Sequence, residues 1–141
     1  MNRRDLIATG AALMAVSTPA LAQMSHADHD LAAASALFDA ASNCGKVGLV
    51  CIDHCFQSFA AGDTTLAACA REVDQMLSTC GTLAKLASVR SSYLPAMAKV
   101  ALGVCQDCET ECRKHADKHA ACKACGEACA ACAAECKKVA A

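Results

Sequence analysis

Apolar residues recur along this chain every three or four positions, and the strict alternation expected of half-buried strands is absent. Good helix formers such as Ala, Leu, Lys and Glu fill the periodic segments, whereas clusters of β-branched residues are missing. The pattern predicts four helices, at about 31–61, 64–88, 91–115 and 118–139. Because the connections between them are short, we predict an all-α fold, an antiparallel up-down-up-down four-helix bundle.

Few residues interrupt this pattern. Gly62 suits the position just beyond the end of the first helix, and Asp63 can cap the second. Pro95 is tolerated in the first turn of the third helix. Asp117 is a weak cap for the fourth helix, and neither Gly nor Pro occurs at that break. Local signals therefore leave open one long helix in place of the third and fourth.

Thirteen cysteines follow the helical spacing. Those of the first helix are 7 and 4 residues apart, those of the third step by 3 and 4, and those of the fourth alternate between 3 and 4. Such steps place the cysteines of each helix on one face, where aliphatic residues such as Leu37 and Leu83 continue the stripe. We therefore predict a cysteine-lined core and a metal-ligand set that comprises Cys44, Cys51, Cys55, Cys69, Cys80, Cys105, Cys108, Cys112, Cys122, Cys125, Cys129, Cys132 and Cys136.

Other uses of sulfur fit this pattern less well than a metal store. One or two buried thiols can serve as packing alone, but thirteen on four converging stripes exceed that need. Neighbours at i, i+3 and i+4 on a helix are poorly directed for disulfides. The C-x-x-C pairs lack the βαβ context of thioredoxins, and the ferredoxin run is absent. A protein that cycles thiols and disulfides remains the third-ranked hypothesis.

Soft thiolates select Cu(I), zinc or iron–sulfur clusters, and charge favours Cu(I) here. About three zinc tetrathiolates would bury roughly six uncompensated negative charges in an apolar core. Cu(I) needs only two thiolates, each of which can bridge two metals, so about one copper ion per cysteine gives a neutral core. We predict a protein that binds many Cu(I) ions and is not an enzyme. The alternative is a zinc or general heavy-metal buffer with the same core.

The N-terminal segment resembles an export signal. Arg3 and Arg4 form a twin-arginine start, an apolar run follows at 6–16, and the A-x-A pattern at 20–22 suits cleavage. We predict a signal at 1–22, a flexible tail at 23–30, the bundle at 31–141 and a periplasmic location without a membrane anchor. A net charge of −1 and four aromatic residues among Phe, Tyr and Trp argue against a nucleic-acid partner.

Three segments resemble the bacterial copper storage proteins: CIDHCF at 51–56, GTLAKLA at 81–87 and ACKACGEACAACAAECKK at 121–138. The resemblance covers nearly the whole chain after residue 22. It implies a four-helix bundle that stores Cu(I) for copper-dependent enzymes, and homotetramers in the exported members. Protein partners that deliver or receive copper are not identified by it.

One region differs from the exported relatives, which carry several methionines around the first turn. The corresponding segment 57–66 contains no methionine. In an antiparallel bundle, His54, His115 and His119 meet at this end, so we predict a histidine-lined copper entrance with His54 as a ligand. We predict an apolar plug at the opposite end, formed by Leu31, Phe38, Leu86, Val89, Tyr93, Leu94 and Val139. His26 and His29 are expected to be solvated.

Overall fold

The computed structural model describes residues 19–140, which form four α-helices and no strand. These are α1 (Pro19–Ala60), α2 (Ala67–Ser88), α3 (Leu94–Arg113) and α4 (Ala120–Val139). Each helix packs against two others, so that α1 and α3 both lie between α2 and α4. This ring of neighbours joined by short turns is the predicted antiparallel four-helix bundle. None of the described helices has the length and hydropathy that a membrane span requires.

The first helix begins earlier than predicted. It starts at Pro19, a residue type favoured in the first helical turn, and continues without interruption to Ala60. Residues 23–30, predicted to form a flexible tail, belong to this helix because no Gly or Pro follows until Gly45. Residues 1–18 of the predicted signal lie outside the described residues. No helix boundary therefore marks the predicted divisions after residues 22 and 30.

The turns after α1 and α2 use the same backbone motif. After α1, Gly62 has a φ of 83°, its N–H bonds to the Phe59 carbonyl, and the Asp63 N–H bonds to the Ser58 carbonyl. After α2, Arg90 takes the equivalent position with a φ of 50°. These paired bonds satisfy carbonyls that a helix end otherwise leaves free. The prediction for Gly62 is thus confirmed, whereas Arg90 fills a position that favours glycine.

Two residues predicted to cap helices do not do so. The Asp63 carboxylate accepts a hydrogen bond from the Thr65 N–H at 2.9 Å, within a turn that precedes α2 by several residues. Hydrogen bonding by the Thr65 side chain, and then by its N–H, lowers the pKa of the Asp63 carboxyl. The break between α3 and α4 is a turn that ends at His119, which has extended backbone angles and directly precedes α4. The third and fourth helices are therefore separate, and Asp117 does not cap the latter.

The core has two parts that differ in composition. One part, which we call the aliphatic end, lies at the end of the bundle that contains the α2–α3 turn. The α1–α2 and α3–α4 turns lie at the opposite end. The buried side chains of the aliphatic end are Ala34, Leu37, Ala41, Leu83, Ala87, Leu94, Ala98 and Ala101. The remainder of the core is dominated by cysteine. Between α1 and α2, buried Gly48 allows a close approach, because a Cβ there would collide with the terminal methyl group of Met76.

Candidate metal centre

All thirteen predicted cysteine ligands are free thiols with no exposed surface. Three come from α1, two from α2, three from α3 and five from α4. The heptad-like spacing explains this convergence, since each stripe faces the interior of the bundle for its whole length. All thirteen thus lie in one buried core, and all except Cys55 and Cys136 belong to the four groups of converging thiols described below.

The sulfur atoms contact one another across helix boundaries. Cys69 Sγ lies 3.6 Å from Cys112 Sγ and 3.8 Å from Cys122 Sγ, so it joins α2 to both α3 and α4. Cys51 Sγ lies 4.0 Å from Cys122 Sγ. Farther along the bundle, Cys44 Sγ is 3.6 Å from Cys129 Sγ. The thiols therefore form a column and meet across the whole interior, because these contacts join neighbouring helices and also α2 with α4 on the opposite side of the bundle.

One group contains a thiol from each of the four helices. Its members are Cys44, Cys80, Cys105 and Cys132, whose sulfur atoms all lie within 4.8 Å of one another. We call it the tetracysteine group. Within it, Cys80 Sγ is 3.7 Å from Cys105 Sγ and 4.0 Å from Cys132 Sγ. Four converging soft donors can satisfy a tetrahedral zinc ion as well as bridged Cu(I) ions.

Three further groups contain three thiols each, with all sulfur atoms of a group within 4.8 Å. Cys51 and Cys125 occur in two of these groups, and the groups thereby overlap. Three soft donors and shared ligands suit Cu(I), which accepts low coordination and bridging thiolates, better than separate four-ligand zinc sites. The groups are Cys51, Cys69 and Cys122; Cys51, Cys112 and Cys125; and Cys108, Cys125 and Cys129.

Burial keeps the outer thiols of the column protonated. It raises the pKa of Cys55 and of Cys122 to about 12, from the usual 9.0. A hydrogen bond with Cys132, together with burial, raises the pKa of Cys136. Within the part of the chain that the structure describes, no charged or polar side chain is buried. The core holds no cation of its own to balance a thiolate, so a bound metal ion must supply that positive charge.

Three histidines meet at one end of the column, which we call the histidine end. His54 Nε2 lies 2.9 Å from His119 Nδ1, and the rings of His115 and His119 are 6.3 Å apart. His115 Nε2 is also 3.5 Å from a carboxylate oxygen of Glu111. All three imidazoles are partly exposed, while neighbouring Cys55 is fully buried. The antiparallel arrangement predicted this meeting of residues from α1 and the α3–α4 turn.

The predicted apolar plug forms only in part. Leu94 is buried, and Leu86 and Val139 pack partly against the core. Tyr93 is 74% exposed, and Leu31, Phe38 and Val89 are exposed as well. The reason is that Tyr93 directly precedes α3, at the outer rim of the bundle. The inner residues of the aliphatic end close the column instead.

Sequence reasoning did not assign a role to two residues of the core. Met76 Sδ lies 3.4 Å from Cys44 Sγ, and its place on the α2 stripe between Cys69 and Cys80 did not decide whether it binds copper. Gly48 occupies the position on the α1 stripe between Cys44 and Cys51. Its spacing of four from Cys44 and three from Cys51 is the available signal, since a glycine on a core stripe indicates a close approach.

Comparison with known proteins places the fold among copper-binding bundles. A Cu(I)-bound copper storage protein, BsCsp3, is 27% identical, with a TM-score of 0.69 over 77% of this chain and 99% of that one. The apo form of a copper storage protein from Bacillus subtilis is 28% identical, with a TM-score of 0.67 over 76% and 98%. No curated protein sequence matches the chain significantly.

A third comparison corrects the predicted location. A copper storage protein from Streptomyces lividans is 25% identical, with a TM-score of 0.74 over 80% of this chain and 96% of that one, and it is described as cytosolic. The prediction of twin-arginine export to the periplasm was therefore wrong. It rested on 1–22, and the residues expected to form the cleavage site, 20–22, are instead the first turn of α1.

The family comparison covers almost the whole chain. The profile of the copper storage protein family, Csp, matches residues 11–141, a range that includes all four helices and every cysteine. This agrees with the resemblance seen in the motifs of α1, α2 and α4. The chain belongs to the copper storage protein family.

Proposed function

We propose that this chain stores Cu(I) at about one ion per cysteine and that the ions are held by paired and bridging thiolates. The convergence of thirteen buried free thiols, with no buried cation among the described residues, carries this proposal. Cu(I) provides one positive charge per thiolate and accepts two or three sulfur ligands. The chain belongs to a family of storage proteins, and we infer storage rather than catalysis.

The ligands that we propose are the thirteen cysteines and His54. Release of the stored copper would buffer the ion or supply it to copper-dependent enzymes. We also propose that the chain forms homo-oligomers. Support comes from α1, where Leu49, Val50 and Phe56 are large apolar side chains that are more than half exposed. Sedimentation velocity of the apo and copper-loaded protein tests this association, and a monomer at micromolar concentration would contradict it.

A zinc or general heavy-metal buffer is the second candidate, and the tetracysteine group favours it. These four sulfurs match the ligand number of structural zinc. Each zinc tetrathiolate carries two net negative charges, however, and the described core has no buried positive group to offset them. We therefore rank this function below Cu(I) storage.

Copper is expected to enter at the histidine end. His54, His115 and His119 are partly exposed, and their positions are next to Cys55 or three residues from Cys112 and Cys122. A neutral imidazole is a suitable transient ligand for Cu(I) between solvent and the first thiols.

Anaerobic titration of the reduced protein with Cu(I), and separately with Zn(II), tests the storage function. We expect saturation near one Cu(I) per cysteine, measured by metal analysis after gel filtration. The matched variant replaces the tetracysteine group with alanine and should bind about four fewer ions. Saturation near three metal ions, with Zn(II) preferred in competition, would replace the proposal with the zinc alternative.

A further inference from the structure

The column of thiols has a gap on the side of α1 and α2, near the middle of the bundle. On α1, Gly48 separates Cys44 from Cys51, and on α2 the core positions between Cys69 and Cys80 are not cysteines. At this level, α3 and α4 still contribute thiols, namely the group of Cys108, Cys125 and Cys129. The wall made by α1 and α2 therefore offers no thiolate at the level between Cys44 and Cys51 on α1 and between Cys69 and Cys80 on α2.

Met76 fills this gap with a different sulfur. Its side chain is fully buried, and its Sδ lies 3.4 Å from Cys44 Sγ, a shorter sulfur–sulfur distance than any between the cysteines that are hydrogen-bonded here. Cys44 Sγ in turn is 3.6 Å from Cys129 Sγ. A leucine would fill a similar volume, but only the thioether presents a soft donor toward the thiols.

Gly48 provides the space that this arrangement needs. A Cβ at position 48 would overlap the terminal methyl group of Met76 and crowd Leu77. The glycine thus allows the thioether to reach across the face of α1 toward Cys44, which lies one turn away on the same stripe. The space left by Gly48 on α1 therefore accommodates the Met76 side chain of α2 and directs its sulfur into the column.

From this geometry we propose that the Met76 thioether is a Cu(I) ligand that shares a copper ion with Cys44 at the middle of the column. The proposal rests on the Cu(I) storage function. A thioether is neutral, so one thiolate and one thioether hold one Cu(I) without net charge, whereas two thiolates would leave one negative charge. Met76 also completes the ring of sulfur donors at this level, opposite the thiols of α3 and α4.

X-ray absorption at the selenium edge tests the ligand directly. The protein is prepared with selenomethionine, loaded anaerobically with Cu(I) to saturation, and examined for copper as a neighbour of selenium. Met76→Leu conserves volume in the core, and Met97→Leu, at a partly buried position of α3, is the matched control. We expect the copper contribution in the unmodified protein and in Met97→Leu, and its loss in Met76→Leu.

A chelator competition gives a second, independent measurement. Met76→Leu should lose about one Cu(I) per chain more than Met97→Leu at the same chelator concentration, and circular dichroism should show that both variants remain helical. A copper-loaded protein without copper next to selenium, or a copper neighbour that persists in Met76→Leu, would overturn the proposal while storage by cysteine stands. Failure of the unmodified protein to bind Cu(I) would overturn the storage function as well.

Discussion

The aliphatic end and the thiol column of this bundle share helix spacing and antiparallel packing, yet they fill their interiors with different atoms. At the aliphatic end, Leu37 and Leu83 are fully buried among alanines. In the thiol column, the equivalent stripe positions hold small sulfur side chains that contact one another at 3.6–4.0 Å. Burying a leucine removes more apolar surface from water than burying a cysteine. The comparison indicates that one part stabilises the fold and the other part provides ligands.

Because of this difference, the stability of the fold and the capacity for Cu(I) depend on different residues. A zinc finger is unfolded without its metal because its core is too small. Here the aliphatic end, together with Leu66 and Val73, provides an apolar core that does not depend on metal. We therefore expect the reduced apo protein to be folded and helical. Truncating a side chain of the aliphatic end should alter stability and not capacity, whereas removing a thiol from the column should alter capacity with a smaller effect on stability.

Alkaline pH is the largest expected perturbation, because it acts on many thiols at once and leaves the aliphatic end untouched. The pKa of Cys55 and of Cys122 is about 12 in the folded protein and about 9 when unfolded. Stability from these groups is fully present below pH 9 and is lost as pH rises toward 12, because the unfolded chain releases the protons first.

The measurement is the anaerobic denaturation midpoint of the apo protein, followed by circular dichroism from pH 8 to pH 11. We expect a progressive decrease above pH 9. The copper-loaded protein is the control, because a metal-bound thiolate has no proton to release. A midpoint that does not change over this range would show that the folded thiols titrate like those of the unfolded chain.

The next largest effect is expected from truncating one core side chain in each part of the bundle. Leu83→Ala should lower the free energy of unfolding by about 2–5 kcal/mol, because it leaves a cavity in the aliphatic end. Its Cu(I) capacity should be unchanged. Cys80→Ala, one turn earlier on α2, removes a single sulfur atom and should cost about 1 kcal/mol while lowering the capacity by about one ion. Equal effects of the two variants on capacity would contradict the separation.

The two ends also differ in the route that they offer to copper. Replacing His54, His115 and His119 with alanine should slow both loading and removal several-fold and leave the final capacity nearly unchanged, since all thiols remain. The control is Leu86→Ala with Leu94→Ala, which should lower the denaturation midpoint without changing the rates. Stopped-flow absorbance of the Cu(I)–thiolate bands measures loading.

The opposite result would place the copper entrance at the aliphatic end. A shallow cleft of about 570 Å³ lies beside the aliphatic end and is lined in part by Leu31, Arg90 and Leu94. If the histidine variant loads at the unmodified rate and the leucine variant loads faster, copper enters from this cleft.

The smallest expected effect concerns the turns, which adopt the same motif at opposite ends. Arg90→Gly should stabilise the apo protein by about 1 kcal/mol, because its φ of 50° is costly for a residue with a Cβ. Gly62→Ala, with a φ of 83°, should destabilise it by about the same amount. Neither variant should change copper capacity. Thermal denaturation measures both, and a destabilised Arg90→Gly would indicate that the arginine side chain contributes more than its backbone costs.

Some features of the fold and site were predictable because they depend on local spacing. The steps of three and four determine which face of each helix carries cysteine, and short turns make neighbouring helices antiparallel. The contact between His54 and His119 follows from these two facts. The start of α1 was missed because residues up to 22 were assigned to an export signal and 23–30 to a tail, and the beginning of α4 was ambiguous because neither Gly nor Pro marks the break.

Other features depend on how far one helix slides or rotates against another, which spacing does not encode. The four members of the tetracysteine group come from four helices, and their meeting requires a specific relative height for each. The contact between Met76 and Cys44 depends further on the close approach at Gly48. Tyr93 was assigned to a plug by its apolar ring, but its place at the rim decides its exposure.

The lack of buried charge among the described residues has a consequence for how the protein fills. If each Cu(I) takes the place of one thiol proton, the bundle exchanges protons for copper ions one for one. The chain keeps its net charge of −1 at every stage of loading, so filling creates no growing electrostatic barrier. Protons and copper then compete for the same sulfur atoms. Acidification is the simplest way to empty the store, and the acid released during loading counts the ions that have entered.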